Sequence, residues 1–188
     1  MAKQHTLTFE HIPPFPEERD RDEPFAAHVI VETPAWTRHK FALNHEYGVI
    51  AATATLRPQL RWPCDFGFVP QTKEDDGDPI DVALLIDEPT FPSCLVFARI
   101  IGTIGMVKDD VHNDRLVAVM LPEKSSLVST DWVRELSDLP EGLVAGLETF
   151  LRTYPHDGTA KVELTGRRSA AEGHEHIRAS HKRWKKGQ

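Results

Sequence analysis

The chain has 188 residues, 40% hydrophobic and 27% charged, which is the composition of a globular domain with room for one substantial core. A formal charge of −7 disfavours nucleic acid as a partner, and no apolar run is long enough to span a membrane. With 2 cysteines there is no disulfide framework, and no secretory signal opens the sequence, so a cytoplasmic protein is expected.

Residues 1–24, rich in Pro and charge, read as an extended N-terminal arm, and residues 25–188 as a single domain. HVIVET alternates and stops at Pro34, and KFALNH and GVIAATATL are joined by EYG as a hairpin. IDVALLID predicts a buried strand directly after an acidic cluster. CLVFARIIGTIGMV is a long β run in which Gly102 and Gly105 mark a bend or bulge, and RLVAVML is a strand stopped by Pro122. The pattern then turns helical in STDWVREL and DLPEGLVAGLETFLRTY. In the second, Leu143, Leu147 and Leu151 recur at helical spacing beside Phe150, with Asp138 as cap, Pro140 early and Glu141 three residues after the cap. AKVELTG is one more strand, and SAAEGHEHIRASHKRWKK is a final helix with basic residues in its last turn, where they suit the dipole. Many short strands followed by helices give an α+β fold with the strands curled into a small barrel.

The acidic cluster carries the chemistry. Asp75, Asp76, Asp78 and Asp81 crowd together with Lys73 as the nearby counter-charge, an unfavourable density unless solvent or a cation sits among them. Asp76 and Asp78 are two apart and face the same way in an extended segment. Gly77 permits a tight path and Pro79 fixes φ on entry to the strand. Asp81 opens an apolar strand, so its carboxylate is partly buried and needs a partner. All-oxygen donors favour a hard cation such as Mg²⁺ over zinc. An EF-hand fails, because starting from Asp76 its fifth and sixth positions are Ile80 and Asp81. Neither a GxxxxGK[ST] loop nor a GxGxxG fingerprint is present. His174, Arg178 and His181, near one helical face, read as a solvated surface rather than a zinc site. Cys64 reads as a packing residue, and Trp62, Phe66 and Phe68 as core or rim.

DGDPIDV matches the D-x-D-P-x-D-V signature and so resembles the family I soluble inorganic pyrophosphatases. VIVETPAWTRHKFALNHEYG, WPCDFGFVPQT, RLVAVML and FLRTY resemble further segments of that family in matching order, over about residues 26–165. The resemblance implies an OB-like five-stranded β-barrel with flanking helices, several Mg²⁺ ions (Mn²⁺ being the alternative), a homo-oligomer and hydrolysis of pyrophosphate to two phosphates. It implies Asp78 as the catalytic group that orients or deprotonates water. Asp76, Asp78, Asp81, Asp109 and Asn113 would hold metal, with Glu32 reaching it through water, and Lys40, Arg115 and Tyr154 would bind phosphate. The chain departs from the family pattern at Ala42, Ala54, Phe66, Asn113, Arg115 and Pro155, where the family carries Glu, Arg, Tyr, Asp, Lys and Lys. These departures implied a weakened phosphate clamp and kept two alternatives open. One is a phosphohydrolase acting on a larger phosphate ester; the other is a non-catalytic metal- or phosphate-binding or assembly protein.

Overall fold

Strand by strand, the barrel follows from short, largely apolar runs that are buried on both faces. The structure is a computed structural model describing residues 9–16, 23–44, 46–121, 132–154 and 161–187. The elements are β1 (Ala26–Thr33), β2 (His39–Asn44), β3 (Val49–Thr55), β4 (Asp65–Phe68), β5 (Asp81–Leu85), β6 (Leu95–Lys108), β7 (Val111–His112), β8 (Arg115–Met120), α1 (Glu141–Thr153), β9 (Val162–Arg168) and α2 (Ala170–Lys186). The sheet runs β1-β4-β5-β8-β6, and β6 pairs back with β1, closing a five-stranded barrel. Its pairings are antiparallel except β5–β8, which is parallel.

Side chains on the two faces of these strands fill two cores. Ala27, Val29, Val31, Val82, Leu84, Val96, Ala98, Ile100, Leu116 and Ala118 converge on one, and α2 adds Ile177. The alternate residues Ala83, Val117 and Val119 turn the other way, onto Trp62, Phe66 and the α1 residues Leu147, Phe150 and Leu151. β6 serves both the barrel and β9, and it bends at the expected glycines. Its register slips between Ile100 and Gly102 against β8, and between Gly105 and Met106 against β9. Gly102 has φ +150°, and a Cβ there would lie 2.7 Å from the Leu136 side chain, so only glycine lets that residue cover the bulge.

The helical regions require corrections. STDWVREL predicts a helix, but residues 132–135 are non-helical and are followed by a 3-10 turn at Leu136–Asp138; residues 129–131 lie outside the described residues. The segment is pinned by burial of Val133 and Leu136 rather than by a helical face. Asp138 closes that turn by accepting from the Arg134 and Glu135 amides, at 2.7 and 2.9 Å, so α1 starts after Pro140 without a side-chain cap. Leu143 is 44% exposed, and the packed face of α1 is Val144, Leu147, Phe150 and Leu151. β4 carries no strand signal in the sequence: at four residues, with Asp and Gly in it, it shows too little alternation. α2 begins as expected at Ser169, whose side chain forms a capping box with Glu172. Among the described residues no helix is long and apolar enough to cross a membrane.

Candidate functional site

The acidic loop lies between β4 and β5. Gly77 takes φ +96°, which lets the chain double back so that the Glu74 amide donates to the Asp78 carbonyl at 2.7 Å and the Gly77 amide to the Glu74 carbonyl at 3.1 Å. Within this turn the Asp78 amide donates to Asp76 Oδ1 at 3.0 Å. Asp76 and Asp78 are exposed, and Asp81 is half-buried where β5 begins. Beside the loop is a cavity of about 460 Å³. Glu32 of β1, Lys40 of β2, and Asp78 and Asp81 of the loop share its lining with Lys73 and Trp184.

Glu32 lies among those charges. Its Oε1 accepts the Leu43 amide at 2.8 Å, yet its pKa is pushed up to about 7. Burial is the cause that prevails: the Leu43 amide outweighs the repulsion from Asp81, and Lys40 outweighs that from Asp78, so only the loss of solvent leaves the pKa raised. Among the described residues the cavity is lined by the carboxylates of Glu10, Glu32, Asp78 and Asp81 against the ammonium groups of Lys40 and Lys73, so its lining holds surplus negative charge.

Arg115, at the start of β8, is the resident cation. It is buried and places Nη1 2.8 Å from Asp81 Oδ2, while donating to the carbonyls of Asn113 and Asp114 at 2.9 and 3.1 Å. Burial lowers its pKa, but Asp81, the hydrogen-bonded Tyr154 and Asp76 more than offset this, so the net shift is upward and the guanidinium stays charged. Tyr154, at the end of α1, stacks on Phe150 and tilts against Trp62, which holds its ring beside Arg115.

The β7–β8 connection supplies Asn113, whose Nδ2 donates to Asp76 Oδ2 at 3.4 Å. Because a carboxylate only accepts, this bond fixes which way the amide points and leaves Oδ1 buried without a donor. Asp109, at φ 51° in the β6–β7 turn, accepts the Lys161 amide at 3.0 Å. Asp114 is paired with Arg168 and accepts the Met106 amide, a structural role. Among the described residues no three His, Cys, Asp or Glu side chains gather closely enough to hold a metal ion as they stand. The donor chemistry nevertheless fits a hard divalent cation. The donors are oxygens, the carboxylates lining the cavity outnumber its lysines among the described residues, and the orphaned Asn113 oxygen lacks a positive partner.

Of the residues singled out in the sequence, Glu32, Lys40, Asp78 and Asp81 line the cavity, and Asp76, Asn113, Arg115 and Tyr154 connect to them through direct contacts. Pro155 lies outside the described residues. The C-terminal histidines are not the solvated face expected of them. His174 packs against Phe15 and Phe25, and His181 bonds the Gln71 carbonyl at 2.7 Å; only Arg178 is exposed. Cys64 is fully buried and burial raises its thiol pKa, so it packs, as expected. Phe9 of the N-terminal segment was not anticipated in the cavity wall, where it meets Phe68 edge-on.

A sequence model of the inorganic pyrophosphatase family matches residues 29–185. The inorganic pyrophosphatase of Streptomyces coelicolor is 31% identical over 161 residues, spanning 84% of this chain and 94% of that protein. That of Synechocystis sp. is 30% identical over 138 residues, 73% of this chain and 79% of its own length. Among solved structures, the inorganic pyrophosphatase of Thermus thermophilus superposes with a TM-score of 0.82 at 25% identity, covering 94% of this chain and 98% of its own.

Proposed function

Because the chain belongs to the inorganic pyrophosphatase family and so hydrolyses inorganic pyrophosphate, we propose that it does so at the cavity beside the acidic loop. Asp76, Asp78 and Asp81 hold divalent metal, with Asn113 Oδ1 as a neutral oxygen donor and Glu32 behind them. Asp109 is the weaker candidate ligand, since the Lys161 amide already occupies its Oδ1. The observation that carries this reading is the convergence of Glu32, Lys40, Asp78 and Asp81 on one cavity, where burial raises Glu32 to about 7. Divalent metal, when bound, neutralises pyrophosphate and makes a water acidic enough to attack phosphorus at neutral pH. An oxygen-only donor set suits Mg²⁺ and Mn²⁺ alike, and Mg²⁺ is the ion we expect.

The chain's own groups do the rest. Asp78, on the exposed part of the loop, accepts the proton of the attacking water. Lys40 and Arg115 donate to phosphate oxygens as charge moves onto the leaving phosphate, and the Tyr154 hydroxyl is kept in place by Arg115. Arg115 holds Asp81 when no substrate is present; phosphate oxygens offer the guanidinium a second set of anionic acceptors and so release Asp81 for metal. We place the reaction in the cytoplasm and expect a homo-oligomer.

The test is a phosphate-release screen over pyrophosphate, polyphosphate, nucleotides and phosphate monoesters, with Mg²⁺, Mn²⁺ or neither. Pyrophosphate with Mg²⁺ should lead, and calorimetric Mg²⁺ binding in the presence of inorganic phosphate, which frees Asp81 from Arg115, should weaken about tenfold or more in Asp81→Asn, since a charged donor is lost. Unchanged binding in that variant removes Asp81 from the metal site.

A further inference from the structure

The helix that ends the chain reaches the acidic loop, and this contact has no place in the reaction outlined above. Ser180 of α2 is fully buried; its Oγ accepts the Lys73 amide and donates to the Lys73 carbonyl, both at 2.8 Å. Arg183 Nε donates to the same carbonyl at 2.8 Å, and its Nη2 to Glu74 Oε1 at 2.5 Å. His176 Nε2 bonds the other Glu74 oxygen, Oε2, at 2.8 Å. Both Glu74 oxygens are thus held from one helix, more than a hundred residues away in sequence.

Glu74 is also the base of the loop. Its amide donates to the Asp78 carbonyl at 2.7 Å, and its carbonyl accepts the Gly77 amide at 3.1 Å. Beyond the loop, Thr72 Oγ1 accepts the Ile80 amide at 3.0 Å and donates to the Val69 carbonyl at 2.6 Å. The turn carrying Asp76 and Asp78 is therefore closed at its neck and bolted to α2 on one side.

We propose that the last turns of α2 form a splint for the acidic loop, with Glu74 the positioning residue through which Ser180, His176 and Arg183 set the place of Asp78. The inference rests on the reading of Asp78 as the catalytic base. A purely structural role for these contacts is the competing account, and magnitudes weigh against it. α2 already docks on the barrel core through Ile177 and the buried Gly173. Ion pairs as exposed as Arg183–Glu74 add little to stability. Their energy is small on the scale of folding but large on the scale of loop placement, where a shift of about 1 Å costs up to roughly a hundredfold in rate. The polar wall formed by residues 71–73, Asp78 and Trp184 in the cavity is the surface these bonds hold in register.

The experiment compares Arg183→Met, Glu74→Gln, their double variant and Arg183→Lys with the parent, as full-length chains. It reads kcat, KM for pyrophosphate, Mg²⁺ affinity by calorimetry, and Tm. Each single change should lower kcat about three- to tenfold and weaken Mg²⁺ several-fold, with KM and Tm nearly unmoved. The double variant should be no worse than the poorer single, because both break one clamp, and Arg183→Lys should recover part of kcat. Parental kcat and Mg²⁺ affinity in the singles would overturn the splint, as would losses that simply follow Tm or add in the double. Asp78→Asn separates the two readings. If it is inactive while the clamp variants are normal, the splint alone is wrong; if it is fully active, the base assignment fails and the splint falls with it.

Discussion

The acidic loop and the β2–β3 hairpin line the same cavity but are built on opposite terms. The loop is dense in carboxylates, and hydrogen bonds from Asn113, Ser180, His176 and Arg183 tie it and its neck down. The hairpin is a separate two-stranded sheet. It is tied to β1 through the Thr33 hydroxyl, which exchanges bonds with the Phe41 backbone, and through Glu32 on the Leu43 amide. Ala42, Ala51, Ala52 and Ala54 dominate it, and Lys40 is the cation it brings to the cavity. Where charge must be placed accurately the chain provides many tertiary constraints, and where it supplies shape it provides few. Changes in the loop should therefore be costly, and gains should be available in the hairpin.

The contrast is tested hardest at Asp78. Asp78→Asn removes the proton acceptor from an exposed position, so the fold should survive while kcat falls by about 10²–10⁴. Phosphate release at saturating Mg²⁺ gives the number, with Lys40→Ala as the hairpin control. Equal losses in the two variants would erase the distinction between the walls.

What the sequence could show of these walls follows from the range of the interactions. Alternation marked β1, short apolar runs marked β5 and β8, and the glycines of β6 marked its bulges, because these are properties of neighbouring residues. The acidic loop was legible for the same reason: its ligand types and its turn residues, Gly77 and Pro79, lie within one short segment. The pairing of Arg115 with Asp81 and the grip of α2 on Glu74 were not legible, since only the closed barrel brings those residues together. His174 and His181 look like surface residues by helical spacing and are claimed instead by Phe15, Phe25 and Gln71. Trp132–Leu136 has a helix-like composition, but burial of Val133 and Leu136 over the Gly102 bulge decides its path.

Glu32 stands where the two walls meet, and it predicts a pH effect in the metal-free protein. Its folded pKa of about 7 lies above the ordinary 4.5, so the folded state binds this proton more tightly than the unfolded chain. Glu32 then contributes its full stability below about pH 4.5, loses it as the pH rises towards 7, and loses no more beyond that. At about 1.4 kcal/mol per unit the swing is on the order of 3 kcal/mol, less what the open cavity mouth screens. Chemical denaturation in chelator at pH 5 and pH 8 should show this fall. Glu32→Gln should flatten it, and Mg²⁺ should reduce it by favouring the ionised carboxylate. A parent whose stability is level across this range would mean that the Leu43 amide and Lys40 together cancel the burial of Glu32, and its raised pKa would be absent.

The smallest effect is expected on the hairpin. Ala54 pairs with Lys40 across β2 and β3, so a side chain placed there shares the face of that lysine. Ala54→Arg sets a second cation beside Lys40. In the empty protein the like charges repel, and Tm should drop slightly. With pyrophosphate bound the same charge meets phosphate oxygens and is worth most as negative charge develops, so kcat/KM should rise about tenfold. Asn113→Asp should act on the other side of the cavity, strengthening Mg²⁺ binding because an anionic oxygen replaces a neutral one, and the two gains should not simply add where they share one substrate. A parent already fast, with no gain from Ala54→Arg, would mean that another cation fills this role. Lys73 is then the candidate, because it lines the same cavity, whereas Arg61 donates to the Pro58 and Leu60 carbonyls. In that event Lys73→Ala should cost more than Ala54→Arg returns, and the hairpin would be a wall of shape alone.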